Sequence, residues 1–246
     1  MMSPGADPYA ETVGRLPRAA GHRDVHAALL RDGWRPGGAG DWAIALRSPD
    51  GTAAARISPF DPVGPYSAAL YTQAAHTRQV PRLFAHRRLA GGGDLQVLEW
   101  LEPVAQDEAA AFHCAIATGA PPVADLTAIV RRIHDRARRE LPWCGPLDDN
   151  PANVMRTADG RLVLIDPYYA DGPNLYATAA TDPDRVAALI PEAERRFMTE
   201  IPLTASGPWD EAAREAMRAG LAAADARAAA AAPPQDQARR ASSALS

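Results

Sequence analysis

Asp148, Asp149, Asn150 and Asn153 precede a short, very apolar run, and Asp166 closes it, in the stretch LDDNPANVMRTADGRLVLIDP at residues 147–167. Polar groups at both ends of one hairpin can do chemistry by presenting oxygens. NVM and LVLI are rich in branched apolar residues and read as strands, with Asp159-Gly160 as the turn between them. Asp-Gly favours a two-residue type I′ turn, in which both central residues have φ > 0. A turn centred there sets Val154 opposite Ile165, Met155 opposite Leu164 and Asn153 opposite Asp166. An amide oxygen and a carboxylate oxygen then meet at the open end of the hairpin. Two hard oxygens on neighbouring strands suit Mg²⁺, which takes one or two protein ligands beside phosphate oxygens. The plain alternative is that these Asp and Asn residues serve as turns and caps. A calcium loop is excluded: the stretch lacks the central Gly and distal Glu of such a loop and contains Pro151.

The elements that must position this hairpin can be read on either side of it. Residues 1–21 are broken by Pro and Gly and read as a loose segment. HRDVHAALLRDG reads as a short helix closed by Gly33. WRPGGAGDWAIALRSPDGTAAARIS then reads as strand, glycine-rich loop, strand, Asp50-Gly51 turn and strand. A helix over YSAALYTQAAHTR and a hairpin over RLFAHRRLAGGGDLQVLEWL complete a mostly antiparallel sheet crossed by a helix, an N-lobe over 22–101. Residues 102–203 form an α-rich C-lobe that contains the hairpin, with helices over 105–141 broken at GAPP. A further helix is expected within 204–232, and 233–246, PPQDQARRASSALS, reads as a disordered tail. The fold class is α+β, in two lobes.

Composition bounds the function. The chain has 246 residues, of which 47% are hydrophobic, enough for one large domain or two lobes. A net charge of -4 gives no reason to expect nucleic acid. The basic run RRIHDRARR lies on a helix whose other face carries Leu126, Ile129, Val130, Ile133 and Ala137, so its arginines are the solvated side. No apolar run approaches the ~18 residues of a membrane span. MMSPGADPYAETVGR lacks the basic-then-apolar order of a signal peptide. A cytoplasmic protein without membrane contact is expected, and Cys114 and Cys144 read as reduced thiols. All 26 residues counted as Lys plus Arg are arginine. Schiff-base chemistry and a P-loop lysine are therefore impossible, and any phosphate contact from a long cation must come from Arg.

An early glycine loop and a late carboxylate-tipped hairpin are what phosphoryl transfer from a nucleotide requires. GGAG at 37–40 lies between two strands, Arg56 lies on the next strand where a phosphate-holding cation belongs, and VLEWLEP at 97–103 offers backbone groups of Glu99 and Leu101 to a base edge. The stretch LDDNPANVMRTADGRLVLID resembles the catalytic core of the aminoglycoside phosphotransferase/choline kinase group within the protein-kinase-like fold. The usual pattern of that group is H-G-D-x-H-x-x-N followed by a hairpin and I-D, and the positions matched here are Asp148, Asn153 and Asp166. The resemblance implies that Asp148 is the base for the acceptor hydroxyl and that Asn153 and Asp166 hold Mg²⁺. It further implies that Gly38, Gly40, Arg56, Glu99 and Leu101 serve ATP or GTP. The chain departs from the pattern at Pro146 and Leu147, which stand for His-Gly, and at Asn150, which stands for the second His. It also lacks an acid in the helix after Arg56, so the usual ion pair has no evident equivalent, Gln73 being a poor substitute. IPE at 190–192 is a chance likeness to the A-P-E of protein kinases.

Three functions follow from this reading. The first is a Mg-ATP-dependent phosphotransferase acting on a hydroxyl of a small molecule, its acceptor site small because only about forty residues separate the hinge from Asp148. The second is a protein Ser/Thr kinase. The third is a nucleotide-binding pseudokinase scaffold without turnover.

Overall fold

The computed structural model describes residues 8–201, 207 and 209–231. Helix α1 (Pro8–Gly14) and helix α2 (His22–Arg31) lead into strands β1 (Arg35–Ala39), β2 (Ile44–Arg47) and β3 (Ala53–Ser58). Helix α3 (Gly64–Gln73) follows, then β4 (Leu83–Arg88) and β5 (Asp94–Glu99). These five strands form one antiparallel sheet in the order β1-β2-β3-β5-β4. Strand alternation decides what each face does. Ala53, Ala55 and Ile57 of β3 and Leu95 and Val97 of β5 pack with Val13, Val25 and Leu29 beneath α1 and α2. Arg56 and Gln96, directly paired in register, face the other way, toward α3. The expectation of a loose segment over 1–21 does not hold for its described part. Val13 is buried and Tyr9 donates to Asp50, so α1 is part of the sheet's cover.

The chain crosses to the second lobe at Trp100. Strand β6 (Leu101–Pro103) pairs with the hairpin of β8 (Val154–Thr157) and β9 (Leu162–Leu164), reached through α4 (Gln106–Thr118), α5 (Ala124–Glu140) and β7 (Cys144–Leu147). Strand β10 (Tyr168–Ala170) pairs back onto β7 as a small two-stranded sheet. Helices α6 (Gly172–Thr181), α7 (Pro183–Leu189), α8 (Glu192–Arg195) and α9 (Glu211–Ala231) complete the lobe. Helix α5 buries Leu126, Ile129, Val130, Ile133 and Ala137, the residues that its periodicity marks, and exposes its arginines. Met217, Leu221 and Ala224 of α9 are buried, the first two against Leu175, Tyr176 and Val186, so this helix is integral to the C-lobe. The expected tail over 233–246 lies outside the described residues. No helix among the described residues is long and apolar enough to cross a membrane.

One core spans both lobes. Leu70 and Tyr71 of α3 and Leu98 of β5 meet Leu126, Val130, Val154, Leu164 and Tyr168 of the C-lobe. The lobes are also fastened opposite the hinge. The β4–β5 turn packs on α8, where Arg88 pairs with Glu194 at 2.8 Å, and α2 reaches Glu200 through His22 (3.1 Å) and Arg23 (2.8 Å). A five-stranded sheet with one helix across it, a short crossing, and a helical lobe carrying the hairpin constitute a two-lobed, protein-kinase-like layout.

Gly92, at φ +87°, lets the β4–β5 turn meet the C-lobe, because a Cβ there would overlap the carbonyl oxygen of Glu194. Gly160 has φ +86° with open space around it. Gly160→Ala should therefore cost only backbone strain, about 1 kcal/mol, whereas Gly92→Ala adds an overlap with backbone that cannot swing aside, for about 3 kcal/mol in total. Urea denaturation of both variants measures this, and equal losses would contradict the packing described.

Candidate active site

Arg56 is where the site begins. Its Nε donates to Asp166 Oδ2 at 2.9 Å and its Nη1 to Asp61 Oδ2 at 2.6 Å. Its Nη2 has no protein acceptor among the described residues. The other oxygen of Asp61 accepts the amides of Val63 (3.1 Å) and Gly64 (2.7 Å), so one carboxylate both pairs with the cation and caps the start of α3. Only 2% of the Asp61 side chain and 18% of the Arg56 side chain are exposed. Burial works against the charge of Arg56, but Asp166 and Asp61 more than offset it and hold the guanidinium above its usual range. The ion pair that the sequence appeared to lack is thus present, supplied from the loop before α3. The local signal was an Asp shortly before a helix that has Pro near its start, which marks a cap. Gln73, the weak substitute, instead accepts from Arg132 at 2.7 Å.

The hairpin differs from its expected register by one residue. Val154 pairs with Leu164 and Met155 with Val163. Gly160 alone takes positive φ in the turn, which Thr157 and Arg161 close through Thr157 N–H to Arg161 C=O at 3.0 Å. Ala158, Asp159 and Gly160 thus form a three-residue loop that ends in a left-handed glycine, a common alternative to the two-residue turn. Asp159 is held outward by Thr157 Oγ1 and by Arg161 (2.8 Å). Asn153 consequently faces Ile165, whose N–H donates to its carbonyl at 2.8 Å. Asp166 lies two residues beyond β9 and turns back at φ 41°. The two predicted ligands touch through other atoms than expected: Asn153 Nδ2 donates to the Asp166 backbone carbonyl at 3.2 Å, which directs Oδ1 of the amide away from that carbonyl. Burial pushes the Asp166 carboxyl up, and Arg56 offsets only part of this.

Asp148 sits at the end of β7. Its N–H donates to Pro167 C=O at 2.9 Å, and its Oδ1 accepts the Asn150 amide at 3.0 Å. It is half-buried, whereas Asp149 is exposed. Asn150 caps the short turn 151–153 by accepting from Ala152 N at 3.0 Å. Its carbonyl accepts from His113 of α4 at 3.0 Å. These bonds hold the loop between β7 and β8 against both the hairpin and α4.

The nucleotide-side residues are more dispersed. Gly38 lies within β1, and the N–H of Gly40 closes the hairpin turn onto Ala43 C=O at 2.8 Å, so Gly40 has no amide to give a phosphate. Trp42, in that turn, leans on Phe60 and Tyr176 at 6.2 and 6.3 Å between ring centres. The amide of Glu99 donates to Arg82 C=O at 3.0 Å, so only its carbonyl can read a base edge. The Glu99 carboxylate takes Arg161 at 3.1 Å, tying the hinge to the hairpin. Leu101 opens β6 opposite Thr157. Among the described residues no group of three or more His, Cys, Asp or Glu side chains could hold a metal ion. The IPE residues begin α8, where Glu192 pairs with Arg196 on the surface.

No protein-family model matches the chain, and no curated protein sequence matches it. Among solved structures, the Mycobacterium tuberculosis PknI kinase domain aligns at 16% identity over 76% of this chain and 96% of that one, with a TM-score of 0.27. Aminoglycoside phosphotransferase APH(3'')-Id from Streptomyces rimosus aligns at 17% identity over 81% and 97%, with a TM-score of 0.31. Superpositions this loose assign no residue and no substrate. The layout is read from the strand order and from the hairpin's place beneath α3.

Asp61 separates two contributions. Asp61→Asn keeps a capping oxygen but removes the charge, and Asp61→Ala removes both. Breaking a buried pair costs about 3–5 kcal/mol and losing a cap about 1 kcal/mol. Urea unfolding should rank the parent above Asp61→Asn and Asp61→Asn above Asp61→Ala. Both variants lying within about 0.5 kcal/mol of the parent, the range of ordinary surface changes, would refute the assignment.

Proposed function

We propose that this protein is a Mg-ATP-dependent phosphotransferase that moves a γ-phosphoryl group to a hydroxyl of a small molecule. The observation that carries the reading is Arg56, a partly buried cation with two nitrogens committed to Asp61 and Asp166 and a third left for a phosphate. The donor set beside it fits the metal. Asn153 and Asp166 offer one amide and one carboxylate oxygen, and phosphate oxygens complete such a site. When bound, Mg²⁺ supplies charge neutralisation on the phosphoryl oxygens.

The chain's own residues do the rest. Arg56 Nη2 orients the nucleotide phosphates, held in place because its other nitrogens cannot swing without leaving a carboxylate unpaired. The Asn153 amide is fixed by its bond to the Asp166 carbonyl, so its oxygen is presented without a search of rotamers. Asp148 would hold the acceptor hydroxyl and take its proton at a carboxylate oxygen as the new P–O bond forms and the bridging bond between the β- and γ-phosphates breaks, with ADP as the leaving group. GTP in place of ATP, and a protein Ser/Thr as acceptor, are variants of the same chemistry.

A second reading, a nucleotide-binding scaffold without turnover, draws on Gly40, whose N–H is spent in the turn, and on Trp42, which folds that turn toward the C-lobe. One pair of measurements separates the readings. Thermal shift with ATP or GTP, with and without Mg²⁺ or Mn²⁺, tests binding, since a ligand of the folded state raises the midpoint. Acceptor-dependent ADP release, screened across hydroxylated metabolites and generic protein substrates, tests turnover. Binding without release supports the scaffold, and no shift defeats both.

Within the enzyme reading, Asp148→Asn should slow transfer by ~10²–10⁴-fold and leave Mg-ATP affinity nearly unchanged. Asp166→Asn should weaken metal and nucleotide binding together. The exposed Asp149 is the control. If Asp149→Asn abolishes transfer while Asp148→Asn is silent, the base has been misassigned.

A further inference from the structure

We infer that Tyr71 is a positioning residue that sets the metal-facing carboxylate of Asp166, a role that rests on the phosphotransferase reading above. Tyr71 lies near the C-terminal end of α3, and its side chain is buried in the core shared by the lobes. Its hydroxyl accepts the Asp166 N–H at 3.1 Å and donates toward Asp166 Oδ1 at 3.5 Å. The second contact is long for an O–H···O bond, so the amide contact does most of the orienting.

The position needs such a device. Asp166 stands at φ 41°, a conformation that L-residues adopt at a cost and that Asp tolerates better than most. The residues before it spend their amides in cross-strand bonds or on the α3–β4 link: Leu164 N–H donates to Gln79 C=O and Ile165 N–H to Asn153 C=O. At Asp166 the chain leaves the strand, and its amide would lack a backbone acceptor. A partly buried N–H without an acceptor is rare because it is costly, and Tyr71 supplies the acceptor. The direction of the carboxylate follows from the backbone held there, with Oδ2 on Arg56 and Oδ1 beside the tyrosine. Groups that orient a metal ligand in this way typically matter by 10–100-fold in metal affinity. The bland reading, in which Tyr71 is simply a core aromatic, predicts that its hydroxyl affects stability alone.

Tyr71→Phe removes the hydroxyl and keeps the ring, and Tyr176→Phe, which loses a buried bond to Met198 C=O (2.7 Å), is the control. The first measurement is amide hydrogen exchange at Asp166 by NMR, without nucleotide. The parent should protect this amide, and Tyr71→Phe should speed its exchange by about tenfold or more, leaving Leu164 and Ile165 unchanged. The second is the Mn²⁺ concentration that half-saturates the ATP-dependent thermal shift. It should rise about 10–100-fold in Tyr71→Phe, with ATP affinity in EDTA unaltered and Tyr176→Phe like the parent. An unprotected Asp166 amide in the parent overturns the inference even if the variant does not fold. Faster exchange with an unchanged Mn²⁺ requirement also overturns it, leaving Tyr71 a structural bond only. If the parent shows no metal-dependent shift, the phosphotransferase reading falls and this role with it, while the exchange data still report whether the Tyr71–Asp166 contact exists.

Discussion

A guanidinium withdrawn from water between two carboxylates is the constraint that orders the rest of this molecule. Taking Arg56 and Asp61 out of solvent costs several kcal/mol per ion, recovered only if geometry and further hydrogen bonds are good. The fold meets that condition in a closed circuit. Arg56 binds Asp61 and Asp166, Asp61 caps α3, and Tyr71 of α3 returns to the amide of Asp166. Beneath the same helix end, Gln96 donates to Gly64 C=O (3.1 Å) and to Asp94 (2.9 Å), and Asp94 also takes His86 at 2.9 Å. Gly64 lacks a Cβ that would press into the Asp94 carboxylate. Each polar group near the cation is therefore also a geometric fixture of the sheet or of α3.

The elements that periodicity governs were legible in the sequence. Helix α5 shows its buried stripe, and the hairpin announces itself by branched residues around a turn. The register was not legible, because Asp-Gly serves a two-residue and a three-residue loop equally well. Thr157 tips the balance by accepting the Arg161 amide on its hydroxyl at 3.0 Å, a local contact that no spacing rule encodes. One residue of slip would ordinarily exchange buried and exposed faces. Here Val154 and Leu164 are both buried in the observed register, and Asn153 still contacts Asp166, though at its backbone carbonyl, because Asp166 leaves the strand and turns back.

The site was legible unevenly for a related reason. Asp148, Asn153 and Asp166 lie within one short stretch, where spacing restricts geometry. Arg56 and Tyr71 are joined to Asp166 only by folding, across 110 and 95 residues of chain. A search for an acid inside α3 looks for a partner on the helix. The chain instead places the acid in the preceding loop, where it caps the helix and faces β3. The N-terminal segment was misread on composition: its Pro and Gly residues suggested looseness, yet Tyr9, Val13 and Ala20 cover a face of the sheet that is otherwise apolar.

This placement of the acid has a mechanical consequence. An acid in the middle of a helix can lose its cation when the helix swings, at the cost of the pair alone. With Asp61, the pair and the cap share one carboxylate, so displacing α3 from β3 forfeits both, about 4–6 kcal/mol together. The fastening opposite the hinge acts in the same sense. Gly92 brings backbone of the two lobes into direct contact, Arg88 and Arg23 pair with Glu194 and Glu200 across the boundary, and Trp42 rests on Phe60 and Tyr176. The exposed ion pairs contribute little individually, about 0–1 kcal/mol, so the glycine contact and the aromatic packing carry most of that fastening. The element left with least of this restraint is the turn Gly40–Ala43, held by one backbone bond, the Ser58 hydroxyl on Trp42 C=O, and the tryptophan ring. Displacing this turn therefore forfeits fewer contacts than displacing α3, whose start shares one carboxylate with Arg56.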